Sequence, residues 1–524
     1  MHAHFVCGKA TPAAILPDMT YMLGMLLLSV LSFGAPAGGD TRLADAAMKR
    51  DTATVRALIE QHADVNAAGT DGTPALHWVV RVDDLETAQL LIRAGADAKF
   101  TDRYGVTPLY LACSNGNAAM IKLLLDAGAD PNSVDATGQT ALMTASSVGD
   151  LDSVKVLLDR GAVVDTRDRT FQQTALMFAV RDNHPDVVRL LVERGADVNA
   201  KTKKGETPGW ILPNSVPGFG HGIGIVRGGL PERGSRYFIP GALTPLLYAA
   251  RDGRLEAAKI LVDAKADLEL ANADGITPLL MAISNNQTPV ARFLIDRGAK
   301  INVSDWYGRT PLWTAVEARN MDFDNGTFEN GIDREPLLEL IKVLLDRGAD
   351  PNPRTKESIP IRRFMLRVTG TLEWVDFTGQ TPFLRAAYAG DLTVMKLLLK
   401  YGADPKIATY GGTTPLMVAA GVNWVVDQTY DEGPQALLEA VKLCYELGLS
   451  VNDVNSMGIT AVMGAANRGS DDIIQFLVEK GAKLDVKDNE GRTPLNWAEG
   501  VFLATHPAKA KPSSIALIRK LTGQ

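Results

Sequence analysis

The chain has 524 residues, 46% of them apolar and 22% charged, which excludes a disordered or membrane-embedded composition. Its 54 basic and 61 acidic residues leave a net charge of −7, scattered along the chain, a balance that works against phosphate-neutralising nucleic-acid binding. Three cysteines, Cys7, Cys113 and Cys444, are too few for a disulfide framework, and no CxxC, haem-attachment or zinc-ligand spacing occurs.

The N-terminus differs from everything after it. Met19 to Ala37 carries no charge and ends in Ala35-Pro36-Ala37, an apolar core followed by small residues at the −3 and −1 positions of a cut before Gly38. Residues 1–37 are therefore expected to be a signal peptide. The alternative is an uncleaved membrane anchor, since a run of this length just reaches the roughly 20 residues that span a bilayer. Export places residues 38–524 in a periplasm or outside the cell.

From about residue 40 onward two landmarks alternate. One is the apolar residue of a Thr-Pro-Leu-like phrase, as at Leu109, Leu142, Leu176, Leu246, Leu279 and Leu312; the other opens a Gly-Ala-Asp-like phrase, as at Gly95, Gly128, Gly161 and Gly195. Leu109 to Gly128 is 19 residues and Gly128 to Leu142 is 14, a period of 33. Within one unit, Asp102 and Gly105 suit a tight turn, Thr107 an N-cap and Pro108 a first helical position. A short helix carrying Leu109, Ala112 and Cys113 follows, then a second with Met120, Ile121, Leu124 and Leu125 on one face, stopped by Gly128. Neither helix hides its apolar side alone, so neighbouring units must stack.

This pattern resembles the ankyrin repeat, and Gly195-Ala196-Asp197-Val198-Asn199 reproduces one of its phrases outright. The resemblance implies an all-α solenoid of about twelve helix-turn-helix units with finger loops bordering a concave groove. The family's His after Leu occurs only as His77; elsewhere Tyr110, Met143, Met177, Leu247 or Trp313 stands there. Lys265 replaces one stop glycine and should strain that helix end by about 1 kcal/mol. The first unit, near Thr41 to Ala67, and the last, from Asn489, are degenerate, as the caps of a finite array are.

Spacing locates the insertions. Gly195 to Leu246 runs 51 residues and Gly348 to Phe383 runs 35 where the period gives 14, placing finger insertions near 203–241 and 353–376. Leu312 to Gly348 runs 36 and Leu416 to Gly448 runs 32 where it gives 19, placing insertions between helices near 321–335 and 424–435. The first contains GFGHGIGIVRGG, with neither the Gly-Lys-Ser/Thr of a phosphate loop nor a strand and helix around it. The second contains Arg354, Arg362, Arg363 and Arg367 with Phe364 and Trp374.

A search for convergent nucleophile, base and oxyanion donor finds none. Beyond Ala37 the histidines are His62, His77, His184, His221 and His506, of which only His221, in the Gly-rich insertion, lacks a structural place in the repeat. The recurring Asp97, Asp130, Asp197, Asp350 and Asp404 stand at repeat spacing rather than in pairs. The expected function is therefore non-catalytic: a monomeric scaffold that binds another protein, with no cofactor, metal, nucleic acid or membrane contact unless the N-terminal segment is retained. An effector acting on a host protein and an enzyme with its site in the insertions are the alternatives. In ankyrin folds the groove is lined by finger tips and the exposed end of the first helix. Those offsets, with the insertion at 353–376, give Arg103, Tyr104, Trp306, Tyr307, Arg309, Arg362, Arg363, Trp374, Tyr388 and Tyr410 as the partner-binding set. Arrays with such insertions and a closing Trp-Ala-Glu phrase also suggest a bacterial source.

Overall fold

The computed structural model describes residues 40–524 except 70, 104, 205–240, 321–333, 357–373, 425–430 and 504–507. The expected signal segment, most of the 203–241 insertion, His221 and His506 lie outside those residues. Among the described residues there are 24 helices, arranged as twelve consecutive pairs, and only isolated β-bridges. Unit 1 pairs Arg42–Met48 with Thr52–Glu60, and unit 12 pairs Pro494–Gly500 with Pro512–Thr522. The first helices have 6 to 9 residues, too short to persist alone in water, so stacking supplies their stability.

Sequence explains how most first helices start. Thr107, Thr244, Thr310 and Thr381 accept a hydrogen bond from the backbone N–H three residues on, and Pro sits just inside the same helices. The second helices stop where a residue takes positive φ, Gly128 at 92° and Gly195 at 86°. Lys265 holds the same place at φ 68°, so the expected strain is there. Leu109, Ala112, Cys113, Met120, Ile121 and Leu124 are all fully buried, and one apolar core runs through every unit.

Two ladders join unit to unit. The Asn that closes a Gly-Ala-Asp-Val-Asn phrase reaches the next such phrase: Asn352 Nδ2 donates to Gly402 O at 3.0 Å, while Asp404 N donates to Asn352 Oδ1 at 2.7 Å. Asn66, Asn302 and Asn452 repeat the first of these bonds with Gly95, Gly348 and Gly481. The recurring Asp97, Asp130, Asp197, Asp350 and Asp404 each accept from the backbone N–H two residues on, which makes them turn residues. Fingers are stitched in a second ladder, with Trp306 N on Asp274 O, Lys356 N on Tyr307 O, Tyr410 N on Thr378 O and Ser456 N on Gly411 O, all at 2.8–2.9 Å.

Part of the interhelical excess is helix. The second helix of unit 8, Glu335–Asp346, has 12 residues and that of unit 10, Pro434–Glu446, has 13, against 9 in units 1 and 2.

His77 is 2% exposed, and Nε2 lies 3.1 Å from Val106 O in the next unit. Nδ1 is buried without a partner, so the ring is best accommodated neutral, with its proton on Nε2. Burial pulls its pKa below the ordinary value. A depressed histidine contributes stability above its unfolded pKa of about 6.5, lost as pH falls through the folded value. Thermal stability of the N-terminal units should therefore decline below about pH 6.5, before most carboxylates titrate. His77→Gln should flatten that slope in melts recorded between pH 7.5 and 5; an unchanged slope would assign it elsewhere.

Candidate functional site

Five of the ten exposed large apolar side chains among the described residues lie on the fingers. Val134, Phe171, Trp306, Tyr410 and Val454, between 38% and 62% exposed, all lie in the segments that precede first helices. Trp306 belongs to unit 8 (first helix Pro311–Arg319) and Tyr410 to unit 10 (first helix Pro415–Ala420), with the finger of unit 9 (first helix Pro382–Ala389) between them.

The finger of unit 8 is built around Asp305. Its buried carboxylate accepts from Tyr307 N at 3.0 Å and Arg309 N at 2.9 Å through Oδ1, and from Arg309 Nε at 2.7 Å through Oδ2. Gly308 follows at φ 79°, where a Cβ would meet Lys356 N of the next finger at 2.8 Å. Closeness and positive φ together demand glycine there. This turn presents Trp306 at 44% exposure and leaves Tyr307 half-buried.

Arg309 corrects the expectation from its offset. It is 7% exposed, ion-paired with Asp305 at 2.7 Å, and its guanidinium carbon lies 5.2 Å from the Tyr307 ring centroid. It therefore supports the finger from inside and is not on the groove surface. Burial opposes its charge, but Asp305 and Glu317 outweigh that and raise its pKa.

Tyr410 is the more open aromatic, at 58%. Arg354 lies over it, guanidinium carbon to ring centroid 4.0 Å, and is steadied by bonds from Nη2 to Ala408 O at 2.8 Å and from Nε to Gly379 O at 3.3 Å. The pair offers a flat apolar face beside a positive charge.

The remaining expected residues divide. Arg103 is exposed, but on the finger of unit 3, five units from Trp306. Tyr104, Arg362 and Arg363 lie outside the described residues. Tyr388 is half-buried, its hydroxyl donating to Asn423 O at 2.6 Å and its ring 5.3 Å from Phe377. Trp374, expected as an exposed anchor, is 4% exposed, with its ring centroid 5.4 Å from that of Trp497. It is packed against the array and is corrected accordingly.

The sequence reading missed Phe171, 62% exposed five residues before Leu176, although the offset that found Tyr307 also selects it. It also missed a stripe on the first helices: Trp78 with Arg81, Phe178 with Arg181 and Tyr248 with Arg251, guanidinium carbons 5.7, 4.7 and 4.8 Å from the rings. Aromatic and Arg two and five residues after the landmark leucine were the available signal. The last two arginines also pair with Asp182 and Asp252, so this stripe carries little net charge.

Nothing in these groups suits bond-making chemistry. His184 stands at the N-cap position of Pro185–Glu193 with Nε2 2.9 Å from Ser147 O, and His62 holds φ 57° in a turn. Burial pushes the Cys444 thiol up to about 12 and raises that of Cys113, far from the thiolate a nucleophile requires.

Comparison with known proteins agrees with this architecture. The family described as "Ankyrin repeats (3 copies)" matches residues 43–135, 127–202, 246–355 and 433–500, and the single "Ankyrin repeat" matches 378–410. A stretch of 171 residues, 33% of this chain, is 26% identical to alpha-latrocrustotoxin-Lt1a of Latrodectus tredecimguttatus. Another of 125 residues, 23% of the chain, is 33% identical to human ankyrin repeat domain-containing protein 63. A third, 24% of the chain, is 29% identical to the transient receptor potential cation channel subfamily A member 1 of Drosophila melanogaster. These matches span only 10%, 30% and 10% of the relatives' own lengths. Among solved structures, the ankyrin repeat domain of Bcl-3 aligns at TM-score 0.38 and 26% identity, over 50% of this chain and 99% of that one. With more than half of its length matched by the family pattern and its helices paired in unbroken series, the chain belongs to the ankyrin-repeat family.

Proposed function

We propose that this array is a non-catalytic scaffold that holds a protein partner against the fingers of units 8 to 10. Ankyrin repeats generally serve as protein-interaction modules, which supports the class of function. The observation that carries the location is the display of Trp306 and Tyr410 on the fingers of units 8 and 10, either side of that of unit 9, 44% and 58% exposed, although a turn needs no such side chain. With Arg354 beside Tyr410, the surface suits a partner with apolar and acidic groups side by side. The test is capture of a partner by the immobilised array, followed by the same capture with Trp306→Ala and Tyr410→Ala. Retention at full strength by both variants would place the site elsewhere.

Export to a periplasm or to the outside of the cell rests on the Met19–Ala37 pattern. The relatives above are animal proteins and lend a bacterial source no support. N-terminal sequencing of the protein from its native host should begin near Gly38. No helix among the described residues is long and apolar enough to cross a membrane.

A further inference from the structure

Two neighbouring fingers carry a concentration of positive charge that the repeat does not require. Arg167 and Arg169 on the finger of unit 5 (first helix Ala175–Arg181) are exposed, as are Lys201, Lys203 and Lys204 on that of unit 6 (first helix Pro245–Asp252). The fingers are stitched edge to edge: Lys203 N donates to Phe171 O at 2.7 Å, and Arg167 Nη1 donates to Lys201 O at 2.6 Å. Five cations therefore share one surface with two carboxylates, Asp165 and Asp168, on a chain whose net charge is −7. Both carboxylates are occupied by backbone groups, Asp165 accepting from Asp197 N and Asp168 from Thr170 N, Phe171 N and Gln173 N. Among the described residues none of the five cations forms an ion pair.

The finger of unit 5 also departs from the repeat in length. Gly161 to Leu176 runs 15 residues where the period gives 14, and the extra residue lies in the turn. Asp168 N bonds to Gln173 O, whereas Asp102 N, Asp135 N and Asp305 N bond to the oxygens of Val106, Gln139 and Arg309, one residue nearer. Gln172 closes this turn at φ 59° and Ala242 closes that of unit 6 at 55°, a left-handed place that is glycine in units 2–4 and 7–12. The enlarged tip presents Phe171, 62% exposed, two residues after Arg169 and joined through its carbonyl to Lys203. It is braced from three sides. Gln173 Nε2 donates to Tyr248 Oη at 2.7 Å, Gln172 Nε2 to Asp168 O at 2.9 Å, and Arg169 N to Thr137 O of unit 4 at 3.2 Å. A tip held in this way loses little further freedom when something docks on it.

We propose that the fingers of units 5 and 6 are a second docking surface, for an acidic segment of a protein partner that seats an apolar side chain on Phe171. The exposed ring supplies the apolar contact, and the unpaired cations around it supply charge-assisted bonds to the carboxylates of the segment. A nucleic acid fits this surface less well. A phosphate chain is tracked by a long basic groove with successive aromatics, whereas two fingers with one aromatic rise here from a net acidic chain. The inference does not rest on Trp306 and Tyr410, which stand on the fingers of units 8 and 10.

The test selects binders from a random peptide library displayed on phage. The bait is the full chain carrying Trp306→Ala and Tyr410→Ala, so that the surface on units 8 to 10 does not contribute. Selected peptides should carry Asp or Glu flanking a Leu, Phe or Trp. Made synthetically, they should bind the unaltered protein and lose about tenfold in affinity for the protein with Arg169→Glu and Lys203→Glu. Phe171→Ala alone should cost about fivefold, and added salt should weaken binding to the unaltered protein. All three side chains are exposed, so thermal melts of these variants should match that of the unaltered protein. Selected peptides without an excess of acidic residues, or affinities that neither variant changes, would overturn the proposal. So would single-stranded DNA that displaces the peptides at equal charge, because the surface would then be one that binds phosphate.

Discussion

Asp391→Ala should remove about 3–5 kcal/mol of stability and divide the array in two. Asp391 is 2% exposed and does three things at once. Oδ1 caps the helix Leu392–Lys400 by accepting from Val394 N at 3.1 Å. Oδ2 accepts from Arg319 Nε at 2.9 Å and lies 3.5 Å from Arg334 Nη2. Arg334 in turn donates to Asn320 Oδ1 and pairs with Glu432, so one carboxylate joins units 8, 9 and 10 where the two interhelical insertions leave and return. Without it, the Arg319 guanidinium, 9% exposed, stays buried with no counter-charge beside it. Losing one partner of a buried pair is far more costly than never having built it. Because an array is held by neighbour contacts, urea unfolding should separate into two transitions, units 1–8 and units 9–12. Asp391→Asn, which keeps a capping oxygen, should fall between. A shift under about 1 kcal/mol for the alanine variant would mean that solvent reaches the cluster and that it is worth no more than a surface pair.

Trp306→Ala combined with Tyr307→Ala should weaken partner binding by at least about 2 kcal/mol, the range of an interface hot spot. The finger should survive. Asp305 holds it through the backbone N–H groups of Tyr307 and Arg309, and Trp306 is tied to Asp274 by its own backbone N–H. The contact of Tyr307 with Arg309 contributes about 0.5–1 kcal/mol to the expected stability loss, less than the expected loss of binding. Titration calorimetry with the captured partner and thermal melts of the same samples separate the two effects. A large fall in melting temperature with unchanged affinity would show these aromatics to be packing groups.

What was legible in the sequence follows from what is local. Each unit writes its own turn, cap and helix stop within 33 residues, so the twelve pairs and the positive-φ Lys265 could be located by counting. Side-chain direction was harder. Arg309 occupies a groove offset, yet Asp305 four residues earlier turns it inward, and Asp488 does the same to Arg492 with a 2.7 Å bond from Nε. An Asp-x-x-x-Arg spacing in the finger was therefore the warning. Trp374 gave none: its indole meets Trp497, 123 residues away in sequence. The Asn ladder was invisible for the same reason, because each Asn bonds to the following unit.

The central claim is that a partner lies on the finger side of units 8 to 10. Hydrogen exchange of the array, free and saturated with its captured partner, tests this most directly. The account predicts slowed exchange at 305–309, 354–356 and 408–412, with the second helices Thr288–Asp296 and Leu392–Lys400 unchanged. Protection confined to those second helices, with the fingers exchanging as before, would contradict it.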